Sequence, residues 1–178
     1  MALSFSMRIL LAILLILSQI SCNHATIANI NKKEQKMISM FRKLAKSLSK
    51  DRLGINEVAA KIGSVESDPG FPMPIELKSS IEEVVSAQLS RYPDTNFPYV
   101  LTLGLSTDSH LTLSALKKQF GEFQQTRTDR GMPPEFLFLE PVKGAKWWVY
   151  IFVRLEQDGT PLEVRRISYI TFRRDTIS

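Results

Sequence analysis

The only cysteine of this 178-residue chain, Cys22, stands where an apolar leader ends. A thiolate is the nucleophile that takes an acyl or diacylglyceryl group, and a lone thiol in an exported chain has no disulfide partner. Met7-Arg8, the apolar run from Ile9 to Leu17 and the exit Ser18-Gln19-Ile20-Ser21-Cys22 have the charge, apolar core and small-residue ending of a secretory signal. Residues 1–21 are expected to be a cleaved signal peptide with lipid attached at Cys22. Ser21 and Ile20 suit such processing, whereas Gln19 stands where an aliphatic residue is usual. Ordinary cleavage a few residues later, after Thr26-Ile27-Ala28, is the alternative, and it releases a soluble periplasmic or secreted protein. The apolar run is shorter than the roughly 20 residues a spanning helix needs.

Other residue types that do chemistry are sparse. His24 and His110 have no companion at metal-ligand spacing, and no glycine-rich phosphate loop or serine elbow is present. Asp129-Arg130 and the pair Glu135 and Glu140 are the charged groups near loops, and solvation or surface ion pairing accounts for them. The expectation is a protein that is not an enzyme, with no cofactor, no metal and no small-molecule substrate. The net charge of +5 falls to +4 once the leader, whose one charged residue is Arg8, is gone. That mild excess suits an anionic membrane surface or an acidic partner, and nucleic acid is not expected.

The elements that must position any binding residues follow from periodicity. Residues 22–31 read as a tether. Residues 32–52 are strongly basic, and Met37, Met40, Phe41, Leu44 and Leu48 recur at helical spacing, giving a basic amphipathic helix that either lies on a membrane surface or docks its stripe on the domain. Two segments then echo each other. Ile55 to Gly63 and Leu113 to Gly121 both carry apolar residues at the first, fourth and eighth places, and both end on a glycine read as a left-handed helix stop. Asn56, and Thr112 or Ser114, are their start signals. Asp68-Pro69-Gly70 answers Asp129-Arg130-Gly131, and Tyr92 to Pro98 answers Glu156 to Pro161, at offsets of about 60 residues.

The expected fold class is α+β, with two helix-plus-three-stranded antiparallel units in tandem after the amino-terminal helix. The first unit spans 53–106 and the second 107–178. The first has strands Ile75–Leu77, Val84–Tyr92 and Tyr99–Leu105. The second has Glu135–Glu140, Lys146–Gln157 and Leu162–Arg173, with Asp158-Gly159 as the hairpin turn. Ser80 to Leu89 also fits a capped helix. Alternation places Trp147, Val149, Ile151, Val153 and Leu155 inward, beside Val85, Ala87, Leu89, Tyr99, Leu101, Leu103 and Leu105. Trp148, Tyr150, Phe152, Arg154 and Glu156 then face outward, with Ser86, Gln88, Ser90, Tyr92 and Thr102. Aromatics with an arginine are what protein contacts favour, unless the amino-terminal helix or a loop lies over them.

The exported leader, the short helix ending in Phe120-Gly121, the proline-bearing loop and the strand led by Trp147-Trp148 resemble the small BamE-like (SmpA/OmlA) outer-membrane lipoproteins. Two such units in tandem are similar to the architecture of the β-lactamase inhibitor protein, although Val84-Val85 stands where the first unit would carry the tryptophan. The resemblance implies a binding module at the cell envelope, lipid-anchored and facing the periplasm, with the outer membrane favoured because Asn23 rather than an aspartate follows the cysteine. Its partner would be another envelope or secreted protein, met by Trp148, Tyr150, Phe152, Arg154 and Tyr92. An inhibitor or immunity protein that plugs a hydrolase or toxin with Tyr92–Asn96, presenting Asp94, is a second reading. An adaptor that binds lipid or peptidoglycan through the basic helix is a third.

Overall fold

In the computed structural model, residues 32–50, 53–93, 95, 97–126, 134–140 and 147–176 are described. The expected signal peptide, the expected tether with Cys22, Asp94 and the segment with Asp129-Arg130 lie outside them. A helix, α1, runs over 32–48. Its stripe is used by the fold: Met37, Ile38, Phe41, Leu44, Ala45 and Leu48 are buried, Met40 packs half-buried against them, and Phe41 meets Phe172 at 5.8 Å between ring centroids. This favours the docked helix over one whose apolar side enters a membrane. Helix α2 (Ile55–Ile62) buries Ile55, Val58, Ala59 and Ile62. Its start is Gly54 rather than Asn56, because the Gly54 N–H donates to the Glu57 carboxylate at 2.8 Å. Helix α3 (Leu113–Phe120) starts at Thr112, whose Oγ1 accepts the Ala115 N–H at 3.3 Å and donates to Glu34 on α1.

The strands are β1 (Gly63–Ser67), β2 (Ile75–Ser79), β3 (Val84–Arg91), β4 (Pro98–Leu105), β5 (Gln124–Thr126), β6 (Glu135–Glu140), β7 (Trp147–Leu155) and β8 (Ile167–Thr176). They form one antiparallel sheet of order β1-β2-β3-β4-β8-β7-β6-β5. The expected pair of separate three-stranded units is therefore wrong. Each of α2 and α3 is followed by four strands, and the two halves merge where β4 pairs β8, with Leu101 opposite Phe172 and Leu103 opposite Ile170. Two such apolar strands left as free edges would expose unpaired backbone donors and acceptors beside buried side chains, and mutual pairing removes both edges. The apolar residues of α1, α2, α3 and the inner side of the sheet make a single core.

Locally, one alternative is decided and two expectations change. Residues 84–91 are strand, so the capped-helix alternative for Ser80–Leu89 does not hold. A bulge follows, because Val84 pairs Leu105 while Ser86 already pairs Gly104. The extra residue turns Val85 out to 69% exposure and leaves Val84, Ala87 and Leu89 in the core. Finally, β8 does not begin at Leu162. Asp158 accepts from the Thr160 N–H and Oγ, Pro161 supplies no N–H, and Leu162–Val164 forms a single 3-10 turn against α3 before the strand starts at Ile167.

At the end of the sheet where β8 finishes, Arg174 is fully buried. Its guanidinium lies 4.0 Å from the Trp147 ring and donates to the Lys50 carbonyl after α1. The Tyr92 hydroxyl donates to the Arg174 carbonyl at 2.9 Å. Burial, then the Asp175 and Tyr99 charges, hold the Tyr92 phenol above its ordinary value. A group with a raised folded value stabilises fully below the unfolded value, about pH 10, and that stability drains as pH climbs through the folded one. Urea midpoints measured from pH 8 upward should therefore fall more steeply for the native chain than for Tyr92→Phe. Parallel curves would remove Tyr92 from the alkaline response.

Candidate functional site

Strand β7 alternates strictly. Val149, Ile151, Val153 and Leu155 are buried, while Trp148, Tyr150, Phe152 and Arg154 are half-buried on the other side. Register with β8 sets Trp148 opposite Asp175, Tyr150 opposite Arg173, Phe152 opposite Thr171 and Arg154 opposite Tyr169. Paired residues of an antiparallel ladder share a face, so these eight side chains form one patch. Phe172, which α1 covers, pairs Ile151 on the opposite face. The amino-terminal helix therefore does not shield Trp148 or Tyr150, and among the described residues no helix packs on this side.

Inside the patch, the Arg173 guanidinium sits 5.5 Å from the Tyr150 ring and 5.2 Å from the Phe152 ring, whose centroids are 6.4 Å apart. Asp175 holds Arg173 from below, with Nε to Oδ2 at 2.9 Å. Arg154 Nη2 reaches Glu135 Oε1 at 2.8 Å across to β6. Next to that pair a depression of about 280 Å³ is lined by Thr102, Glu135, Phe152, Arg154, Tyr169 and Thr171. Thr102 and Thr171 join their hydroxyls at 3.2 Å on its floor. Gly104 lets the Tyr169 ring lie against the sheet, since a Cβ there would stand 3.2 Å from Tyr169 Cε1 and 2.3 Å from Ser86 Oγ. Tyr169 itself is 45% exposed. The arrangement is a surface of aromatic rings and paired charges. It offers apolar contact and directional hydrogen bonds without a strong net field.

No protein-family model matches this chain. Neither a characterised protein nor a solved structure matches it.

Of the residues singled out in the sequence, Trp148, Tyr150, Phe152 and Arg154 come together. Tyr92 does not join them. Pairing is irregular between Ser90 and Arg91, and β3 ends there, so the chain leaves the alternation before Tyr92. Its ring turns to Tyr99 at 4.7 Å and Trp147 at 6.0 Å, beside buried Arg174. Cys22 and Asp94 lie outside the described residues. The sequence reasoning missed Arg173, Tyr169, Thr171, Asp175 and Glu135 as members of the patch. The alternation Tyr169, Thr171, Arg173, Asp175 against Ile170 and Phe172 carries that signal, but charged Arg174 on the inner side interrupts it. His110 takes a left-handed φ of 51° where a 3-10 turn ends, and its place is set by the backbone. Among the described residues no three His, Cys, Asp or Glu side chains gather as a metal site, and no helix is long and apolar enough to cross a membrane.

Proposed function

We propose that this chain is a non-enzymatic binding module of the bacterial cell envelope, anchored by lipid at Cys22, that docks another envelope or secreted protein on its uncovered sheet face. The observation that carries the reading is the patch of Trp148, Tyr150, Phe152, Arg154 and Arg173, opposite the face that α1 covers. Aromatic residues and arginine are the types that dominate binding energy at protein contacts. Here their rings and guanidinium groups are already ordered by one another and by Asp175 and Glu135. Preordered side chains lose little rotamer freedom on association. The leader ending at Cys22, and the resemblance of the Phe120-Gly121 helix and the Trp147-Trp148 strand to small outer-membrane lipoproteins, supply the envelope part of the reading. An inhibitor that inserts the 92–96 turn into an active site has less support, because Tyr92 is engaged with Tyr99, Trp147 and the Arg174 carbonyl.

The test is recovery of a bound protein with the tagged chain from envelope extracts. Combining Trp148→Ala and Arg154→Ala should weaken that complex by more than about thirtyfold, since a hot-spot truncation costs about 2 kcal/mol or more. The urea midpoint should stay close to native, because both side chains are only half-buried. Labelling with a radioactive fatty acid should mark the native chain and not Cys22→Ser. A double variant that keeps its partner overturns the docking face, and an unlabelled native chain overturns the anchor.

A further inference from the structure

Helix α1 has a second face. At about 100° per residue, Lys32, Lys36, Ser39, Lys43 and Lys46 fall within an arc of about 80°, diametrically opposite the buried stripe, and Lys50 follows just beyond the helix end. All but Ser39 are lysine, and the row carries no acidic residue. From Lys32 to Lys46 it is about 21 Å long at 1.5 Å per residue. Glu34, the single acid of the helix, turns aside to Thr112. Arg42 reaches sideways to the Gln119 carbonyl on α3 at 3.0 Å. Glu82 and Glu83 share a groove with Lys36 and Lys43, yet neither pairs with them. Among the described residues none of the five lysines makes an ion pair. On α3, by contrast, Lys117 is matched by Glu122 at 2.8 Å and lies over the Phe123 ring.

Helix formation does not call for such a row. Neighbouring lysines three and four apart repel, and native helices usually relieve this with interleaved acids. Successive charges stand about 5–6 Å apart, and about 10 Å apart where Ser39 intervenes, spacings comparable to the Debye length of about 8 Å at physiological salt, so a flat anionic surface meets them as one strip. The strip also lies on the element that directly follows the 22–31 tether.

We infer that the outward lysine row of α1 is an electrostatic docking strip for an anionic phospholipid surface. The contact is by charge alone, since every large apolar side chain of α1 faces the fold. It extends the anchored-module reading and gives it an orientation: α1 lies against the bilayer, and the aromatic patch, on the other side of the sheet, faces away from it.

The experiment is vesicle flotation of the full gene product, purified as the host cell processes it. Vesicles contain phosphatidylglycerol or consist of phosphatidylcholine only. The native chain should favour the anionic vesicles, and 1 M salt should erase the preference, because the Debye length falls to about 3 Å. Each lysine near an anionic surface is worth about fivefold, so replacing Lys36, Lys43, Lys46 and Lys50 together by glutamine should cut the preference by at least about a hundredfold. Glutamine keeps helix propensity, so the urea midpoint should hold. Lys117→Gln with Lys118→Gln should leave the preference intact. Binding to phosphatidylcholine vesicles reads the acyl group at Cys22 separately, so a missing anchor and a failed strip give different results. The inference is overturned if the native chain shows no preference, if the quadruple variant keeps it, or if the α3 variant loses as much. Binding of polyglutamate without vesicle preference would likewise overturn it, in favour of an acidic protein.

Discussion

Gly63→Ala should lower the unfolding free energy by about 3 kcal/mol or stop the chain folding, seen as a shift of the urea midpoint or loss of soluble protein. An alanine Cβ at this position would stand 2.0 Å from the Lys78 carbonyl oxygen and 2.9 Å from the Ser80 nitrogen. Both are backbone atoms, held by the β1–β2 ladder and by the Ser80 N–H bond to the Ile62 carbonyl at 2.8 Å, so neither can swing away. The conformation itself is not the difficulty, because φ is 166°, an extended value. Gly121 makes the contrast. It closes α3 with φ +85° and open space around it, so its alanine variant suffers only strain of about 1–2 kcal/mol. Equal losses at the two positions would refute the close-approach argument.

Phe41→Ala should cost about 4 kcal/mol in the same measurement, with native behaviour on vesicles apart from the lost stability. The ring has no exposed surface and lies between α1 and Phe172, on one of the two strands that join the halves of the sheet. Truncation removes apolar burial and leaves a hole that Leu44 and Leu48 are too constrained to fill. A loss below about 1 kcal/mol would show that α1 is only loosely attached to the sheet.

Much of the inner architecture is readable from periodicity. The three helical stripes, the β7 alternation and the β6 segment stand as the residues suggest, because each must bury one side and its pattern records that demand. Strands β1 and β5 leave no such record. Gly63–Ser67 is exposed along most of its length and Gln124–Thr126 is polar, since edge strands are held by backbone bonds on one side and bury little. The reading of two separate sheets failed for a related reason. Leu101, Leu103, Ile170 and Phe172 show that β4 and β8 are buried, but side-chain alternation says nothing about which backbone edges meet. Val85 misled because a bulge inserts one residue without any glycine or proline to mark it. In the patch, the β7 members were legible as a row, whereas their β8 neighbours required the register.

The pairing of β4 with β8 has a kinetic side. Residues about 70 apart in the chain, Leu101 and Phe172, must meet before either half of the sheet has a closed interior edge. Searching for so distant a contact is slow compared with closing a hairpin. The strand at the middle of the sheet is also the eighth in chain order. A partial chain lacking residues 167–176 can form hairpins and helices but has no seam to unite them. Such a chain lacks the central pairing of the sheet until synthesis has passed that point.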